Sequence, residues 1–419
     1  MKICLISDRL PWPPIDGRRS TLYSFCKWLF YDWKHEVCLI TFENNKSEIN
    51  NPPPFINHIH LLPKPNLLEL VLNFCSTLLF KNKSLQSLLF FSKKAKKKIS
   101  QITNEEKPNV VIFNMARMGQ YYPYVKADKL IFDMDDYLSK RYTNMLDQNK
   151  TENILGNFGS PIFGKFSKIL NNKYIGKFLL KIESKLVEKE ERNIVNNTNA
   201  TVLVNHCEVE QLSKKINTNK IFTIPNRTNI SFFQKNTSFE KKDAFPSLVF
   251  HGTLRQHHNY QAVKFLLEEI LPFVQQEIPQ CHCYIVGDYE NLQIEPSLLS
   301  SIGVTFTGYV NDVRTWLSKS TIYVSPILSG TGMKTKVLEA MAMEIPLVTT
   351  SFGVQGIPIQ NGVHCLIRDD PKTFAKAILE LLSNVEKRSL LAQNARAFVI
   401  ENYDEHTIIK KWHHLISTL

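Results

Sequence analysis

Two α/β domains, each a parallel sheet with helices on both faces, are predicted for this 419-residue chain. Three observations carry that expectation. The length exceeds what one hydrophobic core usually serves, so two cores are the natural division. Short apolar runs alternate with helical stretches through the first half, at Lys2 to Ser7, His35 to Thr41, Ile56 to Leu62, Asn109 to Phe113, Lys129 to Asp133, Ala200 to Val204 and Lys220 to Ile224. Such alternation argues for a parallel sheet. In the second half a strand, Thr321 to Pro326, runs into a glycine loop, a helix and a further strand, Pro346 to Thr350. The loop then falls at the carboxyl end of a strand, where open α/β sheets bind ligands.

The first run, Lys2 to Ser7, breaks at once into Asp8, Arg9 and a proline cluster, too short for a secretory core. It reads as a first β-strand. Leu22, Phe25, Cys26, Leu29 and Phe30 recur at helical spacing, which sets Gly17 at a helix start followed by Arg18 and Arg19. A proline-rich turn with a basic helix start explains the same residues. Residues 227 to 246 are polar with few large apolar positions and read as a linker. The expected division is therefore residues 1–226, a linker at 227–246, and a second domain at 247–403.

The segment from Ser329 to Met343 carries most of the functional signal. Gly330 and Gly332 flank Thr331 and open a helix, leaving backbone N–H groups for an anion such as a diphosphate. Lys336 and Glu339, three apart, share one helix face. A lysine neutralises phosphate while a carboxylate one turn on accepts hydrogen bonds from ribose hydroxyls, which is what a nucleoside diphosphate demands. An ordinary helix with an exposed Lys/Glu pair is the bland alternative.

Here the chain resembles the retaining glycosyltransferases of family 4, with the GT-B fold: two Rossmann-like domains whose parallel sheets face each other across a cleft. Glu339-Ala340-Met341-Ala342 and Pro346-Leu347-Val348 match the family's pattern, while Thr331 stands where its first glutamate would be. Backbone N–H groups near Thr331 to Met333 are expected to make that contact to the sugar ring instead. Phe250-His251-Gly252-Thr253-Leu254 looks like the turn opening the family's donor domain, with Thr253 and Asn259 at the spacings of its phosphate-binding arginine and lysine and Arg255 out of register. Tyr284 to Gly287, Val304 to Val310 and Gly353 to Ile357 extend the match over most of the chain after residue 247. It implies donor contacts from Gly17, Arg18, Gly252, Arg255, Gly330, Thr331, Gly332, Met333, Lys334, Lys336 and Glu339, with the phosphate charge met mainly by Lys336 and Lys334. It also implies a last helix, residues 404–419, returning to the first domain.

Retaining relatives often place a histidine after a first-domain strand. This chain has Asp133, Asp135 and Asp136 there, and crowding raises at least one of their pKa values. Asp135 and Asp136 are the catalytic candidates beside Glu339. They equally suit a helix cap, with Arg141 as a salt-bridge partner.

Eight scattered cysteines read as buried thiols in a reducing compartment. Cys281-His282-Cys283 is not expected to hold a metal, because its alternate residues point to opposite faces of a strand. Neither metal nor other cofactor is expected. The net charge of +12 concentrates in basic stretches beside apolar ones: Lys81 to Lys98 around Leu88-Leu89-Phe90-Phe91, next to the apolar Leu67 to Phe80, and Phe163 to Lys181. Such surfaces settle on anionic bilayers or pack as ordinary solvated helices. No run reaches transmembrane length, and no recognition motif accompanies the charge to suggest nucleic acid. The expected protein is a cytoplasmic glycosyltransferase of polysaccharide or glycoconjugate synthesis, peripheral at the inner face of the membrane. It takes a nucleotide-sugar donor and a saccharide or lipid-linked acceptor. A nucleotide-sugar 2-epimerase of the same fold and a non-catalytic nucleotide-sugar-binding paralogue are the alternatives.

Overall fold

The first sheet takes its strands from the apolar runs anticipated above, with ends displaced by one or two residues: β1 Lys2–Ser7, β2 Glu36–Phe42, β3 His58–Leu62, β4 Val110–Asn114, β5 Lys129–Asp135, β6 Ala200–Leu203 and β7 Ile221–Thr223. All neighbours pair in parallel, in the order β3-β2-β1-β4-β5-β6-β7. Every residue of β4 is buried, as expected where helices cover both faces of a parallel sheet. The computed structural model describes residues 1–14, 17–42, 51–80, 83–147, 173–234, 245–290, 292, 294–329 and 332–419. They form two compact units, Met1–Pro225 with Ile409–Leu419, and Asn226–Ile408.

In the first unit, helix α1 (Gly17–Tyr31) buries Leu22, Phe25, Cys26 and Leu29 at the predicted spacing, while Phe30 is only half-buried. Residues of the last helix reach the same layer: the Trp412 ring lies 4.7 Å from that of Phe25, and His413 lies 5.1 Å from Trp33. Helix α2 (Leu67–Phe80) precedes α3 (Lys93–Glu106), whose Ala95, Ile99 and Ile102 join Cys4, Cys38 and Ile40 in one core.

Helix α4 (Leu138–Asp147) and the long α5 (Lys173–Asn197) pack together. The charged appearance of α5 conceals three inward carboxylates. Glu183 accepts the N–H groups of Leu85 and Gln86 at 2.7 and 3.1 Å. Glu190 accepts Ser84 N–H at 2.8 Å, and Glu191 accepts Ser139 N–H at 3.2 Å and its hydroxyl at 2.5 Å. Each supplies the acceptor that an orphan N–H at a helix start requires. Burial pushes Glu183 up to about 7 and Glu191 to about 8.

The second unit repeats the doubly wound plan. Its strands are β8 Ser247–His251, β9 His282–Val286, β10 Val304–Gly308, β11 Ile322–Ser325, β12 Leu347–Thr349 and β13 Leu366–Ile367, in the order β10-β9-β8-β11-β12-β13. All the pairings are again parallel. In both sheets the winding reverses once, between β1 and β4 and between β8 and β11, which creates a crevice at the carboxyl ends. Of the expected linker, residues 227–234 and 245–246 are described and group with this unit: Thr228 N–H donates to Tyr403 O at 2.9 Å, and Arg314 donates to Phe232 O at 2.9 Å. Residues 235–244 lie outside the described chain. Cys281 and Cys283 are buried on one face of β9, and His282 turns the other way to Thr305 Oγ1 at 2.8 Å. Among the described residues no helix is long and apolar enough to cross a membrane.

Candidate functional site

The β8/β11 crevice collects the residues that the glycine motif singled out. Helix α6 (Thr335–Ala342) starts just beyond it, buries Val337, Leu338, Ala340, Met341 and Ala342, and has no side-chain cap at its start. That leaves its first turn turned toward the crevice with Lys336 and Glu339 on the face opposite the core. Met333 packs against the core, while Gly332 takes φ +73°, a left-handed conformation that suits glycine. Gly330 and Thr331 lie outside the described residues.

Three glycines bring the carboxyl ends of β8, β9 and β10 unusually close. Gly252 (φ +150°) donates its N–H to Val286 O at 2.8 Å, and Gly287 (φ +147°) donates to Gly308 O at 3.2 Å. A Cβ on Gly287 would stand 2.2 Å from Gly252 O, so no side chain fits. A Cβ on Gly252 would stand 2.7 Å from Lys336 Nζ and 2.9 Å from Asn259 Nδ2. The lysine ammonium thus lies directly over the glycine turn.

Lys336 Nζ donates to Asn259 Oδ1, whose amide in turn donates to Thr253 O at 2.8 Å. Asn259, noted in the sequence only as a replacement, positions the lysine without neutralising it. Lys334 is buried and donates to Gly332 O at 3.1 Å. Burial pushes both lysines down to about 8, and for Lys336 the like charge of Lys334 adds to it. Two crowded ammonium groups leaning on neutral oxygens have the electrostatics of an anion site.

Glu339 Oε2 lies 2.9 Å from His251 Nε2, across 88 residues of sequence, with the carboxylate about one quarter exposed at 27%. His251 is buried, its Nδ1 has no hydrogen-bond partner among the described residues, and its ring lies 5.4 Å from that of Tyr323. Sequence reading missed this positioning contact because no local spacing announces it. Arg255, expected at the donor, is instead an exposed rim residue paired with Asp288.

In the first unit the carboxyl end of β5 is distorted. The β5/β6 register shifts between Asp133 and Asp135, and Asp135 holds φ +67°, a strained conformation for a residue with a Cβ. Arg18, one residue into α1 after Gly17, donates to Asp133 Oδ2 at 2.7 Å and Asp135 Oδ1 at 2.9 Å. Its charge is spent inside the unit. Asp133 also accepts from Asn114 at 2.8 Å, and burial, opposed by Arg18, raises its carboxyl above the usual range.

Asp136 pairs with Arg141, the anticipated partner, but neither aspartate caps α4. Tyr137 N–H goes to Glu208 at 3.0 Å and Ser139 N–H to Glu191, so side chains from elsewhere perform that role. Among the described residues Asp136 Oδ1 is buried without a hydrogen-bond partner, and burial raises this carboxyl despite Arg141. A further buried acid was invisible in the sequence: Asp8, after β1, accepts from Arg117 at 3.1 Å and Arg9 at 3.3 Å. Burial alone would raise Asp8, but the guanidinium groups of Arg117, Arg9 and, more weakly, Arg18 outweigh it and hold it below the usual range.

Residues 245–384 match the family model for glycosyl transferases group 1. An uncharacterized 44.6 kDa protein of the cps region of Klebsiella pneumoniae is 28% identical over 170 residues, 39% of this chain and 44% of that protein, so the match spans less than half the relative's length. Among solved structures, sucrose-phosphate synthase from Thermosynechococcus elongatus aligns with a TM-score of 0.65 at 15% identity, over 100% of this chain and 98% of that one. Anabaena HepE, solved with UDP and glucose, aligns at 0.59 and 13% over 100% of both chains. Residues 245–384 are thus similar to the glycosyl transferases group 1, and the chain shares the GT-B fold of these solved structures, a pair of Rossmann-like sheets.

Proposed function

We propose that the protein is a retaining, metal-independent glycosyltransferase that moves a sugar from a nucleoside-diphosphate donor to a saccharide or lipid-linked acceptor. The observation that supports it most is the crevice of the second unit, where Lys334, Lys336, Gly252 and Glu339 converge. In this reading Lys336 and Lys334 face the diphosphate, Gly252 and Gly332 admit it close to the backbone, and Glu339, steadied by His251, accepts from the ribose hydroxyls. The bond from the sugar's anomeric carbon to the diphosphate oxygen breaks, and a bond from that carbon to the acceptor oxygen forms. Charge develops on the departing diphosphate, so ammonium groups and N–H dipoles already in place lower the barrier. Asp136 and Asp135 are assigned to the acceptor side, where the hydroxyl proton must go. The complex of the Anabaena protein with UDP supports a uridine or similar nucleotide.

A surface of the first unit supports a membrane-borne acceptor. On α2, Leu67, Leu68, Val71 and Leu72 are 74%, 68%, 51% and 59% exposed. Glu69 on the same helix turns instead to Lys93 N–H at 3.3 Å, and Asn73 to Phe91 O at 2.9 Å. That anchorage sets the leucines beside the exposed Lys93, Lys94, Lys97 and Lys98 of α3. Apolar residues with adjoining cations suit an anionic bilayer. The Leu88 to Phe91 run, expected there, packs inward, and of the second basic stretch only residues 173–181 are described, with Phe178 exposed.

Nucleoside diphosphate release, measured over a panel of nucleotide sugars with and without an acceptor extract, tests the reading. Transfer requires both substrates. Release without acceptor points to epimerisation or hydrolysis, and no release with any donor leaves a binding protein.

A further inference from the structure

At the amino-terminal edge of the first sheet, opposite the crevice end, five side chains with metal-ligating atoms meet. Cys38 on β2 is the register partner of His58 on β3, and Ile40 is that of His60. Glu106, the last residue of α3, lies over them. Its Oε1 stands 2.7 Å from His60 Nε2 and 2.9 Å from His58 Nδ1, so two imidazoles converge on one oxygen. One ligand atom each from Cys38, His60 and Glu106 lies within 4.8 Å of the others, and the same holds for Glu36, His58 and Glu106.

We infer that Cys38, His60 and Glu106 form a three-ligand zinc site, open at its fourth position, that clips the edge strand β3 to β2 and to the end of α3. A thiolate, an imidazole and a carboxylate are a donor set for a borderline-soft ion of tetrahedral preference, and this combination suits zinc better than magnesium or calcium. Water takes the fourth position, since both nitrogens of His58 are engaged, Nδ1 by Glu106 and Nε2 by Glu36 at 3.3 Å. That arrangement holds Glu106 from outside, as partners of metal-bound carboxylates do.

Charge balances. Lys2 Nζ lies 2.9 Å from both Glu36 and Glu106 Oε2, so its cation answers Glu36 while the metal's two charges answer the Cys38 thiolate and Glu106. Binding releases one proton, from the Cys38 thiol to solvent, and turns one ring-nitrogen lone pair of His60 from the hydrogen-bond network to the metal. Cys38 is buried, but His60 and His58 are 26% and 44% exposed and leave a path for the ion. The edge position gives the clip a purpose, because β3 has a neighbour on one side only.

Cobalt(II) titrated into the metal-stripped full-length protein tests the site, in a Cys75→Ser, Cys207→Ser background that removes the exposed thiols. A thiolate-to-cobalt charge-transfer band with tetrahedral d–d absorption is expected, displaced by one equivalent of zinc. Cys38→Ser should abolish the thiolate band, and His60→Ala should weaken zinc binding about ten-fold or more. His58→Ala should retain the band. Absence of the band in the parent background, or its survival in a folded Cys38→Ser variant, overturns the site and leaves a hydrogen-bonded sheet edge.

Discussion

The carboxyl ends of β5 and of β8 both gather charge, and they dispose of it in opposite ways. After β5, Arg18 is divided between Asp133 and Asp135, Asp136 is paired with Arg141, and Asp8 is held by Arg117 and Arg9. After β8, Lys336 and Lys334 lean on an amide and a carbonyl oxygen, and Glu339 leans on an imidazole. Salt bridges that close on themselves give rigidity but leave little field for a ligand. Two like charges crowded together and buried, at a cost visible in pKa values pushed down to about 8, leave a field that an incoming dianion relieves. Backbone geometry sharpens the contrast, since positive φ falls on Asp135 and Met115, which carry a Cβ, at the ends of β5 and β4, and on Gly252 and Gly287, which carry none, at the ends of β8 and β9.

The largest test of this contrast is Glu339→Ala, which should abolish transfer and weaken nucleotide binding by about 1.5–3 kcal/mol, the range for hydrogen bonds to a charged group. Isothermal calorimetry on the folded variant checks it; unchanged affinity removes the ribose role. Gly287→Ala should come next, lowering stability by about 2–3 kcal/mol because its Cβ meets the backbone of Gly252. Gly252→Ala meets only the mobile end of Lys336 and the Asn259 amide, so it should cost less stability and more diphosphate affinity. Denaturant melts paired with calorimetry separate the two, and equal melting points would dissolve the distinction.

Lys336→Ala should weaken diphosphate binding about ten-fold while leaving the bare nucleoside nearly unaffected, because the lysine acts through charge. Equal losses for both ligands would contradict that assignment.

A smaller effect follows from pH. The folded lysines titrate near 8, below their ordinary value of 10.5, so the charged form is disfavoured by the fold. Their strain is fully present below about 8 and is relieved as pH rises from there toward 10.5, which stabilises the free protein over that window. Diphosphate affinity should run the other way, holding below 8 and falling above it, with proton uptake on binding near pH 9. Calorimetry in buffers of different ionisation enthalpy measures that uptake, and none at pH 9 would show the lysines already charged. Least direct is the surface test. Neutralising Lys93, Lys94, Lys96, Lys97 and Lys98 should reduce sedimentation with anionic vesicles, each cation contributing about 1 kcal/mol near the surface. Salt near 1 M, with a Debye length of about 3 Å, should do the same to the parent protein; if both proteins pellet equally, the lysines are a solvated face.

The strands were legible because parallel sheets buried on both faces read as unbroken apolar runs, and Lys336 with Glu339 was legible because helical spacing is local. What sequence could not reveal were partners separated by long stretches of chain. His251 reaches Glu339 across 88 residues, and Lys336 reaches Asn259 across 77. The glutamates of α5 resemble those of any solvated charged helix, and only tertiary packing distinguishes Glu183, Glu190 and Glu191 from Glu188. Asp135 and Asp136, the catalytic candidates, suit a cap for α4 equally well by residue type, yet Glu208 and Glu191 take the N–H groups of Tyr137 and Ser139. Arg18 was assigned to the donor by resemblance, and two carboxylates of its own unit claimed it first.

Those inward glutamates also bear on how the first unit comes apart. Glu183 and Glu190 cap the short helix Leu85–Leu88, and Glu191 caps α4, so one helix supplies the acceptors for two others far away in sequence. If α5 detaches, the amides of Ser84, Leu85, Gln86 and Ser139 lose their acceptors together. These amides should therefore exchange with deuterium as one cooperative unit whose opening is the undocking of α5, although more than fifty residues separate Gln86 from Ser139 in the chain.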